Sequence, residues 1–398
     1  MTDLILRHAR LPHGAQADLR LSGGRIAQIA GAGTLVADGA RIEDLGGQLL
    51  VPGLVEGHIH LDKTLTGVPW MPHLPGTTIA ERIAAEKRLR QGLSVPVTQR
   101  AEALLARIVA LGSVNVRCHV DVDDELGLAG VEALLALRER WRDRATVQLV
   151  AFPQSGILGQ SRVAELLEEA ARQGVEVIGG LDPAGYDGDI KGQLDIVFGI
   201  AERYGRMVDV HLHDPGELGA FQLRRIAARS AAAGLQGRVA VSHAFALGEV
   251  GRATFEATAA ALRDGGVAIM TAAPGAAPMP PVAALHDAGV TVFAGSDNIR
   301  DAWSPLGNGD MLDRARLIAW RQGFAADEEL WLAFATVTEH GLRALGLDGH
   351  GIREGAVADL VVLPAPHLPE AVAACPPRSL VVKAGRVVAR NGALTGQP

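Results

Sequence analysis

The sequence predicts an α/β protein, a (β/α)8 TIM-type barrel with a small composite β-sandwich domain built from the two ends of the chain. Eight short apolar runs, at 54–60, 114–121, 147–153, 175–180, 207–212, 238–243, 266–271 and 290–296, alternate with amphipathic stretches of helical period. Such alternation requires repeated βα units and a parallel sheet, and eight repeats invite closure into a barrel. Short alternating runs broken by glycine pairs lie before residue 52 and return after residue 350. Two half-sheets at opposite ends of one chain can complete one small β domain. The expected division is 1–52 with 350–398 for that domain and 53–349 for the barrel.

In chain order, 4–7, 17–21, 25–29 and 41–45 read as small antiparallel strands. Val51-Pro52-Gly53 is turn chemistry, so the first barrel strand starts cleanly after it. Helices are expected at 78–90, 97–111, 126–141, 161–173, 193–204, 220–233 and 255–264, each between two strands. The run from Gly265 to Leu285 is apolar and uncharged, but Pro274, Pro278, Pro280 and Pro281 interrupt it. It reads as a strand followed by a loop rather than a membrane span. Two further helices, at 310–321 and 330–345, lead back to the terminal strands at 358–363 and 379–388.

With 398 residues, 48% of them hydrophobic, the chain can bury a large core. Lys plus Arg number 38 against 45 Asp plus Glu, a net of -7 with no basic run, which removes electrostatic support for nucleic-acid binding. The N-terminus lacks the basic start and unbroken apolar core of a signal peptide. Cys118 and Cys375 are too few for a disulfide framework, and Cys118 in its apolar run reads as a buried free thiol, so a cytoplasmic location is expected.

The reacting groups of such a barrel sit at the C-terminal ends of its strands. Strand one ends in His58 and His60, which alternate onto one face and can meet on one metal ion. Strand two carries His119 and Asp121, and strand three ends in Phe152-Pro153-Gln154. Strand five ends Asp209-Val210-His211-Leu212-His213-Asp214, strand six Ser242-His243, and strand eight Gly295-Ser296-Asp297-Asn298. One histidine at a strand end is more often a hydrogen-bonded core residue; histidines at three equivalent ends with an aspartate at a fourth form a set.

On these residues the chain resembles the amidohydrolase superfamily, in the branch of cytosine deaminase and isopropylammelide isopropylaminohydrolase. The matching pieces are Val55-Glu-Gly-His-Ile-His-Leu-Asp-Lys, Val116-Arg-Cys-His-Val-Asp-Val, Leu149-Val-Ala-Phe-Pro-Gln-Ser-Gly-Ile, Val208-Asp-Val-His, Ser242-His, Gly295-Ser-Asp-Asn and Asp301-Ala-Trp-Ser-Pro-Leu-Gly, in that family's order. The resemblance implies that His58, His60, His211 and Asp297 ligate one divalent metal ion, zinc or iron, and that His243 stands beside the metal-bound water. Imidazoles with a carboxylate suit either metal, and a bound cation lowers the pKa of its water toward neutrality. Asp297, touching the metal and facing that water, is the expected base. Strand four lacks the carboxylated lysine by which dinuclear relatives bridge two ions, and Lys191 beyond it reads as a solvated charge, so one metal is expected.

Asp214 stands where cytosine deaminase carries its proton-shuttling glutamate, with Glu217 after the Pro215-Gly216 turn as the alternative shuttle. His213, at that turn, reads as structural or as a substrate contact. Gln154 matches the glutamine with which the family reads ring amide or carbonyl atoms. Asn298 replaces a second aspartate of cytosine deaminase, which argues against cytosine as the substrate. Lys63 resembles the isopropylammelide enzyme and would bind an anionic, carbonyl-rich ring, or else pair with Asp62 at the surface. Trp303 matches a tryptophan near the pocket; Asp182 and Tyr186, after strand four, would line the site as specificity contacts, with His119 and Asp121 below the metal.

The expected function is a metal-dependent hydrolase that removes ammonia or an alkylamine from a small nitrogen heterocycle such as a pyrimidine, a triazine or a related cyclic amidine or ureide. The alternatives are cleavage of a cyclic or acyclic amide to a carboxylate, and a non-catalytic ligand-binding barrel. The cytidine-deaminase pattern needs His-x-Glu with Pro-Cys-x-x-Cys, which two scattered cysteines exclude. The expected partner is a small heterocyclic molecule, with neither nucleic acid nor membrane, and a homo-oligomer is expected.

Overall fold

The computed structural model describes residues 3–73 and 76–396. Strands β1 (Leu4–Arg10), β2 (Gln16–Ser22), β3 (Arg25–Gly31), β4 (Arg41–Asp44) and β5 (Leu49–Pro52) open the chain. Gly53 then separates β5 from the first barrel strand, β6 (Leu54–Ile59). The barrel continues through α1 (Ile79–Gln91), α2 (Val97–Ala110), β7 (Ser113–Asp121), α3 (Ala129–Trp141), β8 (Thr146–Phe152), α4 (Val163–Arg172) and β9 (Val177–Leu181). It goes on with α5 (Ile190–Tyr204), β10 (Met207–Leu212), α6 (Gly216–Ala232), β11 (Val239–His243), α7 (Arg252–Asp264), β12 (Val267–Thr271), α8 (Val282–Asp287) and β13 (Val292–Ala294). After α9 (Met311–Gln322), α10 (Asp327–Thr336) and α11 (Glu339–Ala344), the chain returns through β14 (Leu360–Leu363), α12 (Leu368–Ala374), β15 (Leu380–Lys383), β16 (Arg386–Arg390) and β17 (Ala393–Leu394).

Strands β6 to β13 lie side by side in chain order, all parallel. Helices cover the outer face and side chains fill the inside, so β6, β7, β10 and β11 are buried along their whole length. The ends of the sheet meet where Ile59 bridges Asp297, and the Asp297 N–H donates to the His58 carbonyl at 2.7 Å. Gly57 and Gly295 permit that approach. A Cβ on Gly295 would lie 2.5–2.6 Å from atoms of His58, and one on Gly57 2.5 Å from the Ala294 carbonyl.

The barrel interior is layered. Near the N-terminal strand ends, Val55, Ala240, Met270 and Phe293 cluster with Leu342 and Leu345 at α11. Above them Arg117, fully buried, donates to Gln148, to Asp209 and to the Ala344 carbonyl. The imidazoles lie over this layer.

The second sheet runs β17-β16-β15-β14-β5-β1-β2-β3, joining strands from both ends of the chain around their own apolar cluster. Not all of its N-terminal pairs are antiparallel as expected: β4 and β5 pair parallel to β1. Two helical expectations also need correction. The run 265–285 is not strand and loop throughout, because α8 begins at Val282 directly after Pro281, a residue that suits a helix start. The helix expected at 330–345 is two, α10 and α11, broken at Val337 and Thr338, where Val337 gives its carbonyl to the Val55 N–H of the barrel. Among the described residues no helix is long and apolar enough to cross a membrane.

Candidate active site

His58, near the end of β6, and His60, just past it, are almost without exposure. The Ser242 hydroxyl donates to Asp209 Oδ1 at 2.7 Å, so its oxygen accepts from His58 Nδ1 at 2.9 Å. That hydrogen bond sets the tautomer and leaves His58 Nε2 bare, 3.5 Å from Asp297 Oδ1. His60 Nε2 is 3.3 Å from the same oxygen. The His211 ring lies 4.7 Å from that of His58, and Phe152 stacks on its other side at 4.0 Å. His243 follows at 5.1 Å from His211. Both His243 and Asp297 hold left-handed backbone, φ 75° and 61°, a cost that clusters at functional strand ends.

The charge states follow from burial. Desolvation and the nearby Lys63 charge bring His60 down to about 3, and desolvation with crowding by other imidazoles lowers His211 and His243 well below the usual histidine value. Burial would raise the Asp297 carboxyl, yet the close approach of the His58 and His60 rings holds it well below the ordinary range. The result is one carboxylate beside the neutral imidazoles of His60, His211 and His243.

These donors fit a divalent cation. His58 Nε2 and both ring nitrogens of His211 are buried without a hydrogen-bond partner, which is costly unless something binds there. The ligand atoms of His58, His60 and Asp297 lie within 4.8 Å of one another, as do those of His58, His211 and His243. A family model for the amidohydrolase family matches residues 101–389.

The chain belongs to the amidohydrolase family.

N-isopropylammelide isopropyl amidohydrolase of Pseudomonas sp. (strain ADP) is 31% identical to it over 98% of each chain. The crystal structure of N-isopropylammelide isopropylaminohydrolase from Burkholderia multivorans ATCC 17616 is 42% identical and superposes with a TM-score of 0.95 over 99% of this chain and 100% of that one. The 5-methylcytosine deaminase of Klebsiella pneumoniae, liganded with phosphonocytosine, is 29% identical with a TM-score of 0.87 over 100% of both chains.

Above the imidazoles this amidohydrolase has a cavity of about 1010 Å³. Lys63, Gln154, Asn298 and Trp303 all line it, as do His213 and His243. Gln154 Oε1 accepts from the Lys63 ammonium, which leaves the amide nitrogen as a donor. Asn298 Nδ2 donates to Asp301 at 2.7 Å, which leaves its oxygen as an acceptor. Lys63 is not in a surface pair with Asp62. It is buried 3.0 Å from Asp121 and 3.6 Å from Glu86, while Asp62 accepts from the Asp121 N–H. Burial opposes its charge, but the carboxylates of Asp121, Glu86 and Asp62 outweigh that and raise its pKa.

Three expectations fail. Asp214 does not line the cavity; its carboxylate accepts from the Gly185 N–H at 2.9 Å and from Gln222 at 2.8 Å. The strand stops at Leu212 and α6 starts at Gly216, so the short connection places Asp214 against the segment after β9 and the side of α6. Glu217 is exposed and accepts from Thr254. Asp182 and Tyr186 are not lining residues either. The Asp182 carboxylate instead accepts from both the N–H and the Nδ1 of His213, at 2.5 and 2.8 Å, and His213 stacks on His243 at 4.5 Å. Desolvation would lower the His213 pKa, but the Asp182 carboxylate outweighs it and raises the value. His119 lies under His58, stacked at 3.7 Å, and Lys191 pairs at the surface with Asp195. The sequence reading missed Ser242, Asp209 and Arg117 as supports of His58. Asp209 had a signal, since it precedes His211 by two residues on one strand and shares its face.

Proposed function

We propose that the chain is a mononuclear metal-dependent hydrolase that expels ammonia or an alkylamine from an sp2 carbon of a small, carbonyl-rich nitrogen heterocycle. The observation that carries this is the cavity wall directly above the His/Asp group. It offers a cation and an amide donor, from Lys63 and Gln154, and an acceptor from Asn298. A ring with oxo groups and an N–H matches that pattern, and the relatives' names point the same way.

His58, His60, His211 and Asp297 would hold one zinc or iron ion, which when bound supplies the Lewis acidity that makes a water nucleophilic near neutral pH. Asp297 accepts a proton from the attacking water, and the neutral His243 accepts a hydrogen bond from it. His213, whose protonated form the Asp182 carboxylate favours, replaces Asp214 in this reading as the group that hands a proton to the departing nitrogen. The new C–O bond forms as the C–N bond breaks, leaving a ring carbonyl and a free amine. Two free cysteines, one of them buried, support a reducing cytoplasm, and the exposed Trp320 supports self-association.

The test is turnover of a zinc- or iron-loaded preparation on oxo-triazines, oxopyrimidines and cyclic ureides. The expected product is free amine with the ring intact, and Asp297→Asn should lower kcat by at least about a hundredfold. A new carboxylate would instead mark amide hydrolysis. No turnover on the whole panel, with metal retained, would point to a binding protein.

A further inference from the structure

We propose that Glu86 is a positioning residue, reaching from α1 into the cavity wall to fix Lys63 and Trp303, so that seating α1 over the mouth completes the site that grips the ring. The inference deepens the heterocycle reading above and rests on it for its kinetic arm.

The start of α1 is fixed by its own residues. Thr78 caps its first turn and Glu81 reciprocates in a capping box. Its attachment to the barrel is unusual: of thirteen residues only Ile83 and Glu86 are buried, one apolar and one charged. By contrast α2, of similar length, buries Ala101, Leu104, Leu105, Ile108 and Val109. Hydrophobic burial therefore does little to seat α1. A buried carboxylate on a helix that otherwise faces water is costly unless its partners require it.

Those partners are the ring-contact groups. Glu86 Oε2 accepts from Trp303 Nε1 at 2.6 Å and lies 3.6 Å from Lys63 Nζ; its other oxygen is 3.6 Å from Arg90. Lys63 in turn stands 5.5 Å from the Trp303 ring centre and 5.4 Å from that of Phe152. One carboxylate thus sets both the azimuth of the indole and the position of the ammonium. Asp121 pairs with Lys63 at 3.0 Å and with Arg90 at 3.4 Å, so two carboxylates serve two cations, but of the pair only Glu86 also accepts from the indole. Ile79 and Arg82 of the same helix line the cavity with Lys63 and Trp303, so the helix that carries Glu86 is part of the wall.

The test compares metal-loaded wild type with Glu86→Leu, Trp303→Phe, the double variant and Ile83→Ala. Glu86→Leu removes the acceptor and is expected to raise KM for a ring substrate about tenfold while kcat changes by less than about threefold, the signature of lost ground-state positioning. Trp303→Phe removes the same hydrogen bond from the other side and should raise KM similarly, with the double variant no worse than either single. Ile83→Ala loosens α1 but leaves the Glu86 contacts to Lys63 and Trp303 in place, so it should lower the Tm with a KM rise well below that of Glu86→Leu. Independently of any turnover, the tryptophan emission that Trp303→Phe removes should shift to the red in Glu86→Leu. Additive effects, a KM within twofold of wild type, an equal KM rise in Ile83→Ala, or unchanged Trp303 emission would each overturn the proposal. Failure of wild type to act on any heterocycle would sink the functional reading but leave the emission test standing.

Discussion

Asp301 sits buried four residues past Asp297 and accepts hydrogen bonds from Asn298, from the Trp303 N–H at 2.8 Å and from the Ser304 N–H at 2.9 Å. Desolvation outweighs these bonds and pushes its pKa up to about 7. Ionised, it holds the Asn298 amide with its oxygen toward the cavity; protonated, it can donate to that oxygen and let the amide turn. KM for a ring that donates to Asn298 should therefore rise as pH falls through about 7, an inflection absent in Asp301→Asn. The stability linkage has a definite sign. The folded value lies above the ordinary 3.8, so the cost of ionising Asp301 builds as pH rises from there to about 7 and is constant beyond. At this scale the sequence was only partly legible. Asp214 and His213 are neighbours, and which of them enters the cavity depends on the strand stopping at Leu212, a boundary that pattern reading locates only within a few residues.

The eight barrel strands were legible as elements because parallel strands buried on both faces read as continuous apolar runs. How the first meets the last was not. Closure brings β6 and β13 together through two glycines, and a Cβ at Gly295 would overlap His58, whose ring belongs to the group that could hold a metal ion. Gly295→Ala should destabilise the fold by roughly 1–3 kcal/mol, as overpacking does, and also displace His58. Thermal unfolding together with chelator competition checks this: both Tm and metal affinity should fall, whereas a loss of Tm alone would mean that His58 had not moved. α1 illustrates the opposite limit. Its residues are charged on nearly every face, so no periodicity marked Glu86 as the one carboxylate that turns inward.

Across the whole molecule, a buried polar joint ties the second sheet to the N-terminal end of the barrel. Asp359, next to β14, accepts from Lys383 at 2.8 Å and Asn115 at 3.2 Å, with His350 3.2 Å away, and Lys383 also donates to Thr146 at the start of β8. Burial would raise the Asp359 carboxyl, but the hydrogen bonds from His350 and Lys383 prevail and bring it down to about 2. Its stabilisation is thus fully present above 3.8 and is lost as pH falls through about 2. Asp359→Asn should cost about 3 kcal/mol at neutral pH by stranding the Lys383 charge, with the gap to wild type narrowing in acid; urea unfolding at both pH values measures it. By itself the sequence determined the αβ alternation, the strand-end histidines and the aspartate, since these are written in local period and residue type. Only the tertiary structure decided which groups each carboxylate meets: Asp182 meets His213, Glu86 meets Lys63 and Trp303, and Asp214 meets the Gly185 N–H. Ionisable groups find their partners across the barrel, at separations of tens to hundreds of residues, and no local pattern encodes such a distance.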